Sequence, residues 1–314
     1  MSEIRAVVVD PEASGRLSIK SVPAPTPKHS EALVRVAAFS LNLGEVRRTR
    51  SADAGWQPGW DIAGTVEQPA VDGSGPPAGT RVVALMPHAG WAEMAAVATN
   101  ALAPLPDGVD FESASTLPVA ALTALYALEK YGSIVERKVL VTGASGGVGH
   151  FACQIARHAG ARVVGLVRHE DRVELVRSAG AHEVVVSDDA SAAASFGPHD
   201  IVLESVGGPT FGSSVRALAP SGVCVVYGTS GGYDVQFDAA DFFLLGGASL
   251  YGFILVHELK RDPASNGLAR LIKLMQASVI KPHIEHIAPW TDIATVASDL
   301  LERRVPGKAV LRVS

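Results

Sequence analysis

The segment "VLVTGASGGVGH", residues 139–150, determines how the rest of the chain is interpreted. A short apolar run ends there in a loop with four glycines, and a helix-forming segment follows at once. A strand, a glycine-rich turn and a helix start direct free backbone N–H groups and the positive end of the helix dipole at one point. We therefore predict that this loop binds the pyrophosphate of a dinucleotide.

The glycine spacing matches two dehydrogenase motifs. In the pattern G-x-G-x-x-G, Ala144 occupies the first position, and Gly146 and Gly149 occupy the other two. Alanine is acceptable at the first position if the turn there does not need a positive φ. The same stretch also matches T-G-x-x-x-G-x-G over residues 142–149, a pattern similar to that of the short-chain dehydrogenases.

The short-chain alternative also requires a Tyr-x-x-x-Lys pair. Tyr126 and Lys130 form such a pair, but they precede the loop, whereas that family places its pair far downstream and begins with the loop. We therefore interpret these two residues as neighbours on one helix face and favour the first motif.

The chain changes character along its length. About the first hundred residues contain short β-branched runs separated by proline and glycine clusters, which predicts a β-rich unit. Residues 111–130 have helical spacing, and from "KVLVTG" (residues 138–143) onward strands alternate with helices of about ten residues, which indicates βαβ units and a parallel sheet. The last part is helical and ends in the apolar strand "KAVLRV", residues 308–313.

Composition and charge exclude several classes of protein. Hydrophobic residues make up 47% of the 314 residues, charged residues make up 19%, and the net charge is −5 with no basic stripe, so we expect no nucleic-acid partner. The N-terminus lacks a secretory pattern and no apolar run could span a bilayer, so we expect a cytoplasmic protein without membrane contact. Cys153 and Cys224 allow at most one disulfide, and we interpret both as reduced core thiols.

The end of the second predicted strand indicates the type of dinucleotide. An NAD site typically has a carboxylate there, whereas this chain has Arg168, with Arg172 a turn later. A guanidinium suits a 2′-phosphate. Glu170 and Asp171 lie nearby, but acidic residues are favoured in the first turn of a helix. The cofactor predicted from these residues is NADPH.

Eight segments in this order resemble the zinc-independent quinone oxidoreductase branch of the medium-chain dehydrogenase/reductase superfamily. They are "SLNLGEVRR" (40–48), "PGWDIAGTV" (58–66), "GWAEMAAV" (90–97), "LTALYAL" (122–128), "TGASGGVG" (142–149), "DIVLESVGG" (200–208), "GTSGG" (228–232) and "PGKAVLRV" (306–313). Glu45 stands where the family's Asn-x-x-Asp pattern has aspartate.

The resemblance implies an α/β fold in which a Rossmann-type, doubly wound parallel sheet is inserted into a GroES-like β-rich catalytic domain. Residues 1–113 and 258–314 would form the GroES-like domain, and residues 114–257 the NADPH-binding domain. It also implies a homodimer, with the strand around "ASLYGF" (248–253) pairing across a two-fold axis.

The expected chemistry needs no metal. Zinc enzymes of the superfamily have Gly-His-Glu where this chain has Gly59-Trp60-Asp61, and an indole cannot bind zinc. Without a Lewis acid to polarise a simple carbonyl, electron-poor acceptors are the easier substrates. Quinones and α,β-unsaturated carbonyls are acceptors of this kind.

The resemblance also assigns residues to the site. The expected cofactor contacts are Asn42, Thr123, Ala144, Ser145, Gly146, Gly147, Val148, Arg168, Arg172, Ser205, Val206, Gly228, Thr229, Phe253 and Lys308. Asn42 and Thr123 are also the candidates for a catalytic role, but a turn-capping Asn42 and a Thr123 bonded back to its own helix are equally compatible with the sequence. Trp56, Trp60 and Phe253 are expected to line the substrate pocket, with simple packing as the alternative for both tryptophans and the favoured one for Trp60.

These observations predict an NADPH-dependent, zinc-free reductase of quinones or α,β-unsaturated carbonyls. One alternative is an enoyl-thioester reductase, but "TRSADAGWQPGW" (49–60) contains two tryptophans where those enzymes have a tyrosine. The other alternative is a non-catalytic scaffold or sensor that binds NADPH.

Overall fold

The computed structural model describes residues 2–313, which divide into two compact units. Unit 1 consists of Met1–Leu122 and Arg261–Ser314, and unit 2 consists of Thr123–Lys260. Among the described residues, no helix has the length and apolar character needed to cross a bilayer.

Fifteen strands are present in the described part of the chain. They are β1 (Glu3–Val9), β2 (Leu17–Pro23), β3 (Glu31–Leu41), β4 (Asp61–Gln68), β5 (Arg81–Leu85), β6 (Met94–Ala98), β7 (Leu102–Pro104), β8 (Lys138–Val141), β9 (Arg162–Val167), β10 (Glu183–Val186), β11 (His199–Glu204), β12 (Leu218–Val226), β13 (Ser249–Gly252), β14 (Ile284–Pro289) and β15 (Lys308–Arg312).

The helices of residues 2–313 are short. They are α1 (Leu43–Thr49), α2 (Phe111–Ser115), α3 (Leu122–Leu128), α4 (Gly147–His158), α5 (Val173–Ser178), α6 (Gly208–Arg216), α7 (Ala239–Leu244), α8 (Leu255–Glu258), α9 (Ala264–Gln276) and α10 (Ile293–Leu301). A π-helical segment covers Leu117–Ala121, and 3₁₀ turns cover Ser14–Arg16, Thr99–Ala101, Glu170–Arg172, Ser191–Phe196 and Trp290–Asp292.

Unit 1 is β-rich. Its main sheet has seven strands in the order β14-β15-β3-β4-β5-β7, with β6 paired to β3, and a separate ribbon joins β1 to β2. The C-terminal strand β15 pairs antiparallel with β3, so both ends of the chain build this sheet. Its core contains the stacked rings of Phe39 and Trp91, 5.5 Å apart.

Unit 2 contains a parallel sheet of six strands in the order β10-β9-β8-β11-β12-β13. Numbered from β8 as the first strand, this order is 3-2-1-4-5-6, the order of Rossmann dinucleotide-binding folds. The alternating pattern predicted such a sheet, and the predicted fold class is confirmed. The two cysteines, Cys153 and Cys224, are buried and do not form a disulfide.

The helix predicted over residues 111–130 is interrupted. It consists of α2, the π-helical segment and α3, and Pro118 lies at the start of the π-helical segment. Proline lacks an N–H group and its ring clashes with the carbonyl four residues earlier, which breaks the regular helical ladder. The freed N–H of Val119 donates to Asp61 Oδ1 over 2.9 Å.

Candidate functional site

The glycine loop of unit 2 lies at the carboxyl end of β8. Helix α4 begins immediately after it at Gly147, with Gly146 as its N-cap. The positive φ of the turn falls on Gly143 (+58°) and not on Ala144, which explains why alanine is accepted at the first motif position. A Cβ on Gly149 would lie 2.4 Å from the carbonyl oxygen of Gly143, so this position requires glycine.

The predicted pyrophosphate residues of this loop surround the start of α4. Ala144 is buried, and its N–H donates to the carbonyl of Leu166 on β9. The others are half-buried: Ser145, Gly146, Gly147 and Val148. Ala144 is therefore held in place by β9, while residues 145–148 remain partly accessible at the N-terminus of α4.

A second turn, residues 205–207, follows β11 at the same edge of the sheet and is bonded to the first. Ser205 N donates to Thr142 Oγ1 over 2.9 Å, and Ser205 Oγ donates to the Thr142 carbonyl over 3.1 Å. Because β8 and β11 are parallel neighbours, their carboxyl ends lie side by side. Ser205 and Val206, both predicted cofactor contacts, are half-buried.

A third turn, residues 227–232, follows β12 and packs against the second. A Cβ on Gly207, whose φ is +77°, would lie 2.2 Å from the carbonyl oxygen of Gly232. Gly228 and Thr229, two further predicted contacts, belong to this turn and are half-buried. The structure thus brings the predicted residues of the three turns to adjacent ends of three neighbouring strands.

Glu204 is a functional candidate that the sequence interpretation missed. It is the last residue of β11 and its side chain is fully buried. Its carboxylate accepts hydrogen bonds from Thr142 Oγ1, Val206 N and Gly207 N, at 3.2, 2.8 and 3.0 Å. Burial raises the pKa of this carboxyl, although these hydrogen bonds oppose the shift. The available signal was an acidic residue directly after the apolar run "IVL" (residues 201–203).

The two predicted 2′-phosphate residues differ in their surroundings. Arg168 is exposed at the end of β9, and it forms no ion pair with any residue of the described chain. Arg172 is half-buried and pairs with Asp171 over 3.3 Å. Arg168 therefore has the guanidinium that is available to an anionic ligand.

The remaining predicted residues of unit 2 are buried. Thr123, on α3, is 6% exposed, and Phe253, just after β13, is 5% exposed. The N–H of Phe253 donates to the carbonyl of Val226 over 2.8 Å, which extends the parallel pairing of β12 with β13.

Lys130 has a structural partner. It forms an ion pair with Glu258, and its ammonium lies 5.0 Å from the ring centroid of Tyr251. The hydroxyl of Tyr251 donates to the same carboxylate over 2.6 Å. Lys130 is thus held by the segment around β13 and α8.

Unit 1 contains a polar cluster formed by the half-buried Asn42 and the buried side chains of Glu45, Asp61 and Lys308. Asp61, at the start of β4, is fully buried, and its Oδ2 accepts hydrogen bonds from Ser40 Oγ at 2.8 Å and Asn42 Nδ2 at 2.7 Å. Lys308 Nζ lies 3.3 Å from the same oxygen and is 3% exposed. Two carboxylates and one ammonium therefore share one desolvated region.

Asn42 is fixed at both ends of its amide group. Its Nδ2 donates to Asp61 and, over 3.0 Å, to Glu45 Oε1, while its Oδ1 accepts from Lys308 Nζ at 2.7 Å. Asn42 is also the N-cap of α1, and Glu45 Oε1 accepts its backbone N–H over 2.8 Å, as in a capping box. Both amide protons and the oxygen Oδ1 are therefore engaged within the chain.

The pKa of the Glu45 carboxyl is raised in this cluster. Burial raises its pKa to about 8, and the neighbouring carboxylate of Asp61 acts in the same direction. The ammonium of Lys308 and the hydrogen bonds from Asn42 oppose that rise. The backbone N–H of Trp60 also donates to Glu45 Oε2, over 2.8 Å.

The two candidate pocket tryptophans are both half-buried. The guanidinium of Arg48 lies 4.8 Å from the ring of Trp56. The ring of Trp60 lies over Gly44, where a Cβ would approach it to 3.3 Å. Within residues 2–313, no three histidine, cysteine, aspartate or glutamate side chains are grouped so that they could hold a metal ion.

Comparison with known proteins identifies the family of this chain. The family model described as zinc-binding dehydrogenase matches residues 147–275. The chain is 31% identical to the quinone oxidoreductase of Rattus norvegicus over 225 residues, which are 68% of each protein.

Two solved structures extend this likeness to the whole chain. A mycobacterial quinone oxidoreductase is 26% identical with a TM-score of 0.88, covering 99% of this chain and 100% of that one. A mycobacterial protein in complex with NADPH is 25% identical with a TM-score of 0.87, covering 98% and 99%. This chain belongs to the quinone oxidoreductase branch of the medium-chain dehydrogenase/reductase superfamily.

Proposed function

We propose that this oxidoreductase reduces quinones or α,β-unsaturated carbonyls with NADPH and without a metal ion. The observation that carries the proposal is the joined set of three glycine-containing turns beside the N-terminus of α4, with the unpaired Arg168 at the end of β9. Quinone acceptors are supported by the related quinone oxidoreductases.

The residues of unit 2 fit a dinucleotide phosphate. The missing Cβ at Gly149 lets the start of α4 approach the loop closely, so that backbone N–H groups at the helix start can face a pyrophosphate. Arg168 offers an unpaired guanidinium for a 2′-phosphate. The bound cofactor supplies the hydride, and the chain supplies binding, orientation and exclusion of water.

The residues of unit 1 support chemistry without zinc. Trp60 replaces a histidine ligand, and the positive charge beside Asp61 is the ammonium of Lys308. Lys308 donates to the Leu41 carbonyl, Asn42 and Asp61, so all three ammonium protons have acceptors within the chain. Hydride addition to a conjugated, electron-poor acceptor does not require the Lewis acid that an unactivated carbonyl needs.

We also propose that the protein is a homodimer. Within the described residues β13 pairs with β12 alone, which leaves its outer edge without a partner strand. Large apolar side chains lie exposed in the same part of the sequence, among them Phe243, Leu250 and Ile254, at 81, 38 and 59%. Sedimentation equilibrium at micromolar concentration should give twice the chain mass, and a monomer mass would refute the dimer.

Steady-state oxidation of NADPH, followed by its absorbance, tests the proposed reaction. An ortho-quinone, a simple enone and a short enoyl thioester should be compared at equal concentration, with enzyme-free mixtures as controls. The proposal predicts turnover with the quinone or the enone. Turnover of the thioester alone would identify an enoyl-thioester reductase, and tight NADPH binding without turnover of any acceptor would identify a binding protein.

A further inference from the structure

We propose that Glu204 is a positioning residue of the cofactor site, whose carboxylate holds the turn after β11 in the shape that receives NADPH. The inference rests on the proposed function, because it assigns a role within the same site. Glu204 would act through the backbone of the turn that follows it, because its carboxylate accepts the N–H groups of Val206 and Gly207.

The contacts of the carboxylate are confined to the turns. Oε1 accepts from Val206 N over 2.8 Å and from Thr142 Oγ1 over 3.2 Å, and Oε2 accepts from Gly207 N over 3.0 Å. The Glu204 carboxylate therefore binds two consecutive N–H groups of the second turn. It also binds the side chain of Thr142, the last residue before the glycine loop.

The backbone of Glu204 extends the connection to the third turn. Its carbonyl accepts a hydrogen bond from Tyr227 N over 2.9 Å, at the point where β12 ends and the third turn begins. Val206 O then accepts from Gly231 N over 2.5 Å. Glu204 thus bonds to the second and third turns and to Thr142, the residue that precedes the glycine loop.

The burial of this carboxylate needs a reason, because desolvating an unpaired charge is costly. No lysine or arginine of residues 2–313 forms an ion pair with Glu204. Its charge is instead met by the N–H and O–H donors of the turns, and such bonds to an ionised acceptor are stronger than neutral ones. An apolar residue here would leave the N–H groups of Val206 and Gly207 without this acceptor.

Three variants separate positioning from general destabilisation. Glu204→Ala removes the acceptor, and Glu204→Gln keeps one oxygen acceptor in a side chain of the same size. Val202→Ala is the matched control, because Val202 lies two residues earlier on the same face of β11, is fully buried and has no side-chain atom that could accept a hydrogen bond from the turns. NADPH affinity is measured by calorimetry well below the melting temperature of every variant.

We expect Glu204→Ala to raise the Kd for NADPH at least about tenfold, or about 1.4 kcal/mol. The Kd of Glu204→Gln should lie much closer to that of the wild type than to that of Glu204→Ala. Val202→Ala should keep the Kd within about twofold of the wild-type value, even if it lowers the melting temperature as much as Glu204→Ala does. Equal Kd values for Glu204→Ala and Val202→Ala, or a Gln variant as weak as the Ala variant, would overturn the proposal.

Amide hydrogen exchange, measured by NMR in the absence of cofactor, tests the positioning role independently. Exchange at Val206 and Gly207 should accelerate in Glu204→Ala and stay near the wild-type rate in Val202→Ala. Unchanged exchange in Glu204→Ala would refute the positioning role. If the wild-type protein does not bind NADPH, the proposed function fails, and the exchange rates still decide whether Glu204 fixes the turn.

Discussion

The ammonium of Lys308 donates a hydrogen bond of 2.7 Å to the side-chain carbonyl of Asn42. This contact joins the first residue of the C-terminal strand to the residue that caps α1. It also places the buried ammonium of Lys308 beside the carboxylate of Asp61. The charge of Asp61 is therefore balanced by a residue of the chain itself.

Replacing Lys308 with methionine should destabilise unit 1. The variant leaves the buried carboxylate of Asp61 without its cation, and breaking a buried ion pair typically costs about 3–5 kcal/mol. Urea unfolding measures the loss. Lys20→Met is the control, because Lys20 is 54% exposed in its ion pair with Asp10 and should change stability little. Similar losses for both variants would contradict the role assigned to Lys308.

Glu45 should make stability depend on pH. Its pKa is about 8 in the folded protein against an ordinary value of 4.5, so between these values the folded state keeps a proton that the unfolded chain releases. The free energy of unfolding therefore falls as pH rises from about 4.5 to about 8, by up to about 1.4 kcal/mol per pH unit, and this contribution is constant above that range.

Glu45→Gln should remove that contribution, because the amide does not titrate. The comparison is the free energy of unfolding of wild type and variant from pH 5 to 9, and the difference between them should grow in favour of the variant as pH rises. Parallel curves over this range would show that Glu45 titrates normally beside Asp61 and Lys308.

Gly149→Ala should abolish NADPH binding or folding of the loop. The added Cβ would meet the Gly143 carbonyl oxygen at 2.4 Å and Ala144 Cα at 2.7 Å, and backbone atoms cannot move aside cheaply. Gly108→Ala is the control, since no atom lies within 4 Å of its added Cβ and its φ is not left-handed. A calorimetric titration that finds normal NADPH affinity in Gly149→Ala would contradict the packing described for the loop.

Arg168→Ala should remove the preference for NADPH over NADH. We expect kcat/KM for NADPH to fall at least about tenfold while that for NADH changes by less than about twofold, because only NADPH has the 2′-phosphate. Arg177→Ala serves as control, since Arg177 is exposed on α5 and pairs with Glu174 over 3.8 Å. An equal loss with both cofactors would place Arg168 away from the 2′-phosphate.

The parallel sheet of unit 2 and the acceptance of Ala144 could be predicted from the sequence. Alternating strands and helices restrict a chain to few topologies, and a motif position that does not need positive φ tolerates alanine. The connections between chemically active side chains could not be predicted. Glu204 looked like one acidic residue at a strand end, and its partners became apparent only when the turns after β8, β11 and β12 were brought together.

The buried cluster of unit 1 shows a second limit of sequence interpretation. Glu45 and Asp61 looked like substitutions within family motifs, and neither position indicated that both carboxylates would share Asn42. The interruption of the helix at Pro118 was equally hard to foresee as a functional feature, although it frees the N–H of Val119 for Asp61. Such contacts depend on tertiary packing between residues far apart in sequence.

The central claim is that NADPH bound to this chain reduces a quinone. The most direct test is an anaerobic single-turnover experiment, in which enzyme in excess over NADPH is mixed with an ortho-quinone and cofactor absorbance is followed. We expect bound NADPH to be oxidised in a single exponential phase, much faster than in the enzyme-free mixture, with one quinone consumed for each NADPH. Bound NADPH that persists at the rate of the enzyme-free control, both with the quinone and with a simple enone in its place, would contradict the proposed function.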